Sequence, residues 1–78
     1  MIADDFFNKR MLRYRSDDEA FRAIDKYLAE KAKEAKEQCD TARETAYQKV
    51  HIFFLDRHGK MLKEMKALKA RYERQKNR

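Results

Sequence analysis

Proline and tryptophan are absent from this sequence, and glycine and cysteine occur once each, at Gly59 and Cys39. A β-rich fold needs turn residues every ten or so positions, and a chain this poor in glycine and proline does not have them. One thiol excludes an internal disulfide. With only two histidines, His51 and His58, a closed zinc site lacks its ligands as well. Long apolar runs are also missing: Ile52-Phe53-Phe54-Leu55 falls far short of the ~20 residues that span a bilayer. The first residues, Met1-Ile2-Ala3-Asp4-Asp5, are acidic and lack the basic-then-apolar layout of a secretion signal. Together with the lone thiol, this makes the cytoplasm the expected compartment.

What is abundant is charge, at 44% of 78 residues, beside a hydrophobic share of 42% that is ordinary for a globular chain. Disordered chains are short of apolar residues, and this one is not. The combination suits helices with one apolar stripe and a charged remainder, so the fold class is all-α, in a single domain covering 1–78. A core of this size contributes only about 3–5 kcal/mol, and small chains add a staple or associate. With disulfide and zinc excluded, association with a second copy or another protein is expected to complete the core.

Local signals divide the chain into three helices. Phe7, Met11 and Tyr14 define a short amphipathic segment over about 3–13, with Asp4 and Asp5 at the end where a helix dipole favours carboxylates. Ser16-Asp17-Asp18-Glu19 has the form of a capping box, which starts a new helix and implies a turn before it. From there Phe21, Ile24, Leu28, Ala32, Ala35, Cys39, Ala42, Ala46, Val50 and Phe53 recur every three or four residues. One long helix over about 17–58 is the simplest reading, roughly 63 Å at 1.5 Å per residue. A competing break near residue 40 is marked by Thr41-x-x-Glu44, a second capping box. Gly59 is the strongest stop signal, because glycine adopts the left-handed conformation that closes a helix. A third helix over about 60–76 carries Met61, Met65, Leu68 and Tyr72 on one stripe. A strand reading of Val50–Leu62 would yield a lone hairpin, which is marginal in water.

The expected architecture is therefore a short N-terminal helix, a long central helix and a C-terminal helix folded back as a hairpin or bundle. The outer helices would leave the middle of the long one uncovered. A second copy or a partner protein would pack there, on Phe21, Ala32, Ala35, Cys39, Ala42, Ala46, Phe53 and Phe54.

Charge is distributed unevenly, with a net of +2 over residues 1–15, −3 over 16–46 and +7 over 47–78. Lys60, Lys63, Arg71, Arg74 and Arg78 share one side of the last helix, and Arg10, Arg13 and Arg15 cluster near the start. This basic surface would meet an acidic protein, or nucleic-acid phosphates, whose neutralisation by Lys and Arg releases counterions. Tyr14 and Tyr72 lie on apolar stripes, so they read as core rather than base-stacking residues. A cationic amphipathic helix can also rest on a membrane, but the narrow apolar side makes this an unfavoured role.

No catalytic, cofactor-binding or metal site is expected. His51 and His58 lie about 10 Å apart on a helix, too far for one metal, and read as surface or cap residues. Cys39 on a small-residue stripe reads as an inert hydrophobe. The expected function is a non-enzymatic protein-interaction module of the adaptor, inhibitor or assembly-factor kind. The alternative is a nucleic-acid-binding regulator using the basic last helix and Arg10, Arg13 and Arg15.

Overall fold

A computed structural model describes residues 1–77, and they form two helices, α1 (Asp4–Glu37) and α2 (Thr41–Lys76), with no strand among the described residues. The helices pack against each other as an antiparallel hairpin whose extents are 59 × 15 × 13 Å. The all-helical class and the folded-back arrangement stand. The three-helix division does not.

The chain reverses at 38–40, inside the segment expected to be the middle of a long helix over 17–58. Cys39 takes the left-handed conformation, at φ 58°. The Cys39 N–H donates to the carbonyl of Lys36 at 3.1 Å, and the Asp40 N–H to that of Ala35 at 2.9 Å. These two bonds are a Schellman closure, with cysteine in the place glycine usually holds. Asp40 then caps α2, its Oδ1 accepting from the backbone N–H of Arg43 at 3.1 Å. The cap lies one residue before the Thr41 box, and no glycine or proline announces the turn.

The two local signals that suggested other boundaries are both overridden by packing. α1 runs unbroken through Ser16, and Gly59 lies inside α2 without a positive φ. Glycine in a helix costs about 0.5–1 kcal/mol relative to alanine, which half-buried His58 and buried Met61 on either side offset by packing against α1.

Both helices keep a heptad seam, with apolar positions alternating at spacings of three and four. On α1 it runs Phe7, Met11, Tyr14, Asp18, Phe21, Asp25, Leu28, Ala32, Ala35, and on α2 it runs Glu44, Tyr47, His51, Phe54, His58, Met61, Met65, Leu68, Tyr72, Gln75; all are buried or half-buried. The numbers of facing residues add to 75–79 along the whole length, from Phe21 and Phe54 in the middle to Phe7 and Tyr72 at the open end. Among the described residues only Tyr14, Leu28, Ala35, Met61 and Tyr72 are buried, so the core is one narrow seam. The open end is clasped by Ile2 and Gln75, whose backbone and side-chain amides exchange hydrogen bonds of 2.6 and 2.7 Å.

Candidate interaction surface

Two histidine–carboxylate pairs occupy the centre of the seam. The Nε2 of His58 bonds Asp18 at 2.6 Å, and His51 bonds Asp25 one heptad nearer the loop. His58 also stacks on Phe21, with ring centroids 5.1 Å apart. Asp18 accepts from Arg22 Nε as well, at 3.0 Å. The His58 hydrogen bond holds the Asp18 carboxyl below its usual range, against a partial opposing effect of desolvation. Neither histidine is a surface or cap residue, which corrects the sequence expectation. Each is half-buried and turned toward the other helix.

The pairs were legible in part. Asp18 and Asp25 are seven apart, as are His51 and His58, so either pair alone marks one helix face. Only a reversal near residue 38 makes the two spacings complementary, and in the sequence a break near residue 40 is only the competing reading. Among the described residues, no three His, Cys, Asp or Glu side chains are placed to hold a metal ion. No described helix is long and apolar enough to cross a membrane.

The residues expected to form an apolar interface are separated by the turn. Ala35 is buried and Ala32 half-buried within the hairpin, Phe21 and Phe54 face each other in the seam, and Cys39 is exposed in the loop. Ala42, Ala46 and Phe53 are exposed on α2. The small-residue stripe is thus not one continuous face, because the chain folds back within it. The basic residues are divided as well. On the heptad wheel Arg10, Arg13, Lys60, Arg71 and Arg74 fall on one flank of the hairpin, Arg15 on the opposite flank and Lys63 on the back of α2; Arg78 lies outside the described residues.

What the fold creates instead is two lateral faces, because in an antiparallel pair each flank of the seam is shared by both helices. One may be called the Ile52 face. It carries Leu12, Ile52 and Leu55, exposed at 64%, 66% and 48%, with half-buried Leu62. Along the same flank lie Arg15, Arg22, Lys26, Lys33, Lys36, Lys66, Lys69 and Lys76, with the carboxylates Asp5, Glu19 and Glu73. The other, the Phe53 face, carries Phe53 and Tyr27, exposed at 54% and 55%, with Val50 and Ile24. Its cations are Arg10, Arg13, Lys31, Arg43, Arg57, Lys60, Arg71 and Arg74, and Asp17, Glu34 and Glu64 are interspersed among them between the open end and the loop. Arg57 lies over the Phe53 ring at 5.2 Å, and Lys31 over Tyr27 at 5.6 Å. The Lys31 ammonium is held charged to higher pH by its hydrogen bond to Glu34.

Neighbouring residues of α2, Ile52 and Phe53, thus point to opposite flanks, each apolar and each exposed. Comparison of the chain with protein-family models, with curated proteins and with solved structures finds no match.

Proposed function

We propose that the protein is a non-enzymatic interaction module whose Ile52 face engages an acidic surface on a partner protein. The observation that supports this is the composition of that face: an exposed aliphatic strip of Leu12, Ile52 and Leu55 on a flank with eight cations and three carboxylates. Contiguous exposed apolar surface rimmed by polar residues is how protein-interaction sites look. The seam explains why the strip is free. A two-helix hairpin can bury one stripe per helix, and both stripes are spent on each other. A partner helix with an aliphatic stripe and carboxylates beside it would cover the strip and pair the cations, a helix-in-groove mode of recognition.

The second reading, phosphate binding, draws on the same cations. Duplex DNA would use the cations but leave Leu12, Ile52 and Leu55 without a role, since phosphate contacts are charge contacts. The aliphatic strip therefore favours protein.

Fluorescence anisotropy with a glutamate-rich amphipathic helical peptide and with a short DNA duplex tests the two readings. The peptide is expected to bind, to keep most of its affinity at raised salt, and to lose it on Ile52→Asp. Six phosphate contacts would instead cost about a thousandfold in affinity between 50 and 200 mM salt. Binding of DNA alone, steep in salt and indifferent to Ile52→Asp, would overturn the protein-partner reading.

A further inference from the structure

We infer that the Phe53 face is the contact surface of a homodimer. Two hairpins lie face to face with their loops at the same end, about a two-fold axis running along their length. This uses the flank opposite the Ile52 face and does not depend on what that face binds.

The first argument is area. A compact monomer of 9.5 kDa exposes about 5,000 Å² by the usual scaling of surface with mass, whereas this chain exposes 6511 Å². The excess of roughly 1,500 Å² exceeds the ~800 Å² per partner of a standard stable interface. A second hairpin laid along one face would remove surface of that order and turn the thin seam into the layered core of a four-helix bundle.

The second argument is charge, and it selects both the face and the axis. On the Ile52 face no level pairs opposite signs: Arg15 and Arg22 stand level with Leu62 and Leu55, and Asp5 stands beside the level of Glu73. The Phe53 face is self-complementary. Residues at the same level along the hairpin have numbers that add to 77, the sum that prevails across the seam. At three such levels the two helices carry opposite signs: Arg13 with Glu64, Asp17 with Lys60, Glu34 with Arg43. A two-fold axis along the hairpin lays α1 of one copy over α2 of the other at equal level. Arg13 then meets the partner's Glu64, Asp17 the partner's Lys60 and Glu34 the partner's Arg43. The same operation sets Val50 on the partner's Tyr27 and Phe53 on the partner's Ile24, so apolar also meets apolar. Turning the second hairpin end for end about Val50 and Phe53 would instead bring Arg43 to the partner's Lys60, a like-charge contact. An isologous interface of this kind closes at two subunits. Arg10, Arg71 and Arg74 crowd the open end of this face, so contact is tightest toward the loop.

The native thiol reports the arrangement. Cys39 is exposed in the loop. Loops at one end bring the two thiols within reach of a short bismaleimide, whereas the end-for-end dimer would hold them about 40 Å apart, from 1.5 Å per residue along α2. The test combines light-scattering mass, circular dichroism and this cross-link on the whole chain. The wild type is expected at about twice 9.5 kDa at micromolar concentration and to cross-link through Cys39. Phe53→Asp is expected to remain helical and fall to monomer mass. Ile52→Asp is expected to stay dimeric, although it loses the acidic peptide. A monomeric wild type, or a dimer that does not cross-link, would overturn the proposal. So would a helical Phe53→Asp that remains dimeric. Should Phe53→Asp lose its helicity, the wild-type mass and cross-link decide.

Discussion

Two neighbouring stretches of the seam are held together by different physics. From the chain ends to Tyr14, the contacts are rings and buried apolar surface. Phe7 and Tyr72 stack with centroids 3.8 Å apart, the Tyr72 hydroxyl donates to Asp4, and Tyr14 and Met61 are buried. From Asp18 to Asp25 two half-buried histidine–carboxylate pairs flank the contact between Phe21 and Phe54. The apolar stretch supplies stability and tolerates small shifts along the seam. The polar stretch adds less stability and defines one register, because sliding either helix by one heptad leaves a carboxylate or an imidazole opposite an apolar neighbour. Polar groups at seam positions are known to specify register at a cost in stability.

That contrast can be broken from either side. The largest effect is expected from Tyr72→Ala, which removes a ring that is 7% exposed and leaves Phe7 without its stacking partner. Loss of such an aromatic costs about 3 kcal/mol or more, and urea unfolding followed by circular dichroism should show it. Next comes replacement of Asp18, Asp25, His51 and His58 together by leucine. Well-packed apolar groups in place of buried ion pairs are often stabilising, so the urea midpoint should rise. Amide NMR spectra should at the same time show more than one register. A single sharp register in that variant would deny the polar pairs their specifying role.

Smaller effects sharpen the account at the two backbone exceptions. Cys39→Gly relieves a left-handed residue and should stabilise the hairpin by about 1 kcal/mol. Gly59→Ala adds a Cβ that meets nothing within 4 Å and should stabilise by about 0.5–1 kcal/mol in the same unfolding assay. The smallest is a pH effect confined to the polar stretch. The folded-state pKa of Asp18 is lowered, so its contribution is present above the ordinary carboxylate value of 3.8 and is lost as pH falls through the lower folded value. Asp18→Asn should therefore flatten part of the acid limb of a stability–pH curve.

Helical content was legible because nothing in the composition opposes it: no proline, one glycine, and apolar residues every three or four positions. The reversal at 38–40 was legible only as the weaker alternative, a break near residue 40 marked by Thr41-x-x-Glu44, for two reasons. Its left-handed residue is a cysteine rather than a glycine, and the apolar phase runs on through Ala35, Cys39 and Ala42 as though the helix continued. Ser16 and Gly59, by contrast, are strong local signals that packing overrides. Asp18, at the third position of the apparent capping box, is a seam residue bonded to His58. Gly59 sits between seam residues His58 and Met61. The site suffered the same way. Cationic residues were identifiable one by one, but their division between two flanks depends on where the chain folds back. The neighbours Ile52 and Phe53 are both visibly apolar, yet their assignment to opposite flanks depends on the same reversal.

Everything proposed for those flanks depends on the reversal, so the most direct measurement is a distance between spin labels placed on the outer sides of the two helices. Cysteines would be introduced at Ala23 and Asp56 in a Cys39→Ser background, with the labelled protein diluted into unlabelled chain. The hairpin is about 15 Å across, so the labels, each on its own flexible arm, should lie roughly 20–30 Å apart, with residues 23 and 56 at nearly the same level. A distance near 50 Å, from 33 residues at 1.5 Å each, would mean that one helix runs through residue 39, and it would remove both faces together.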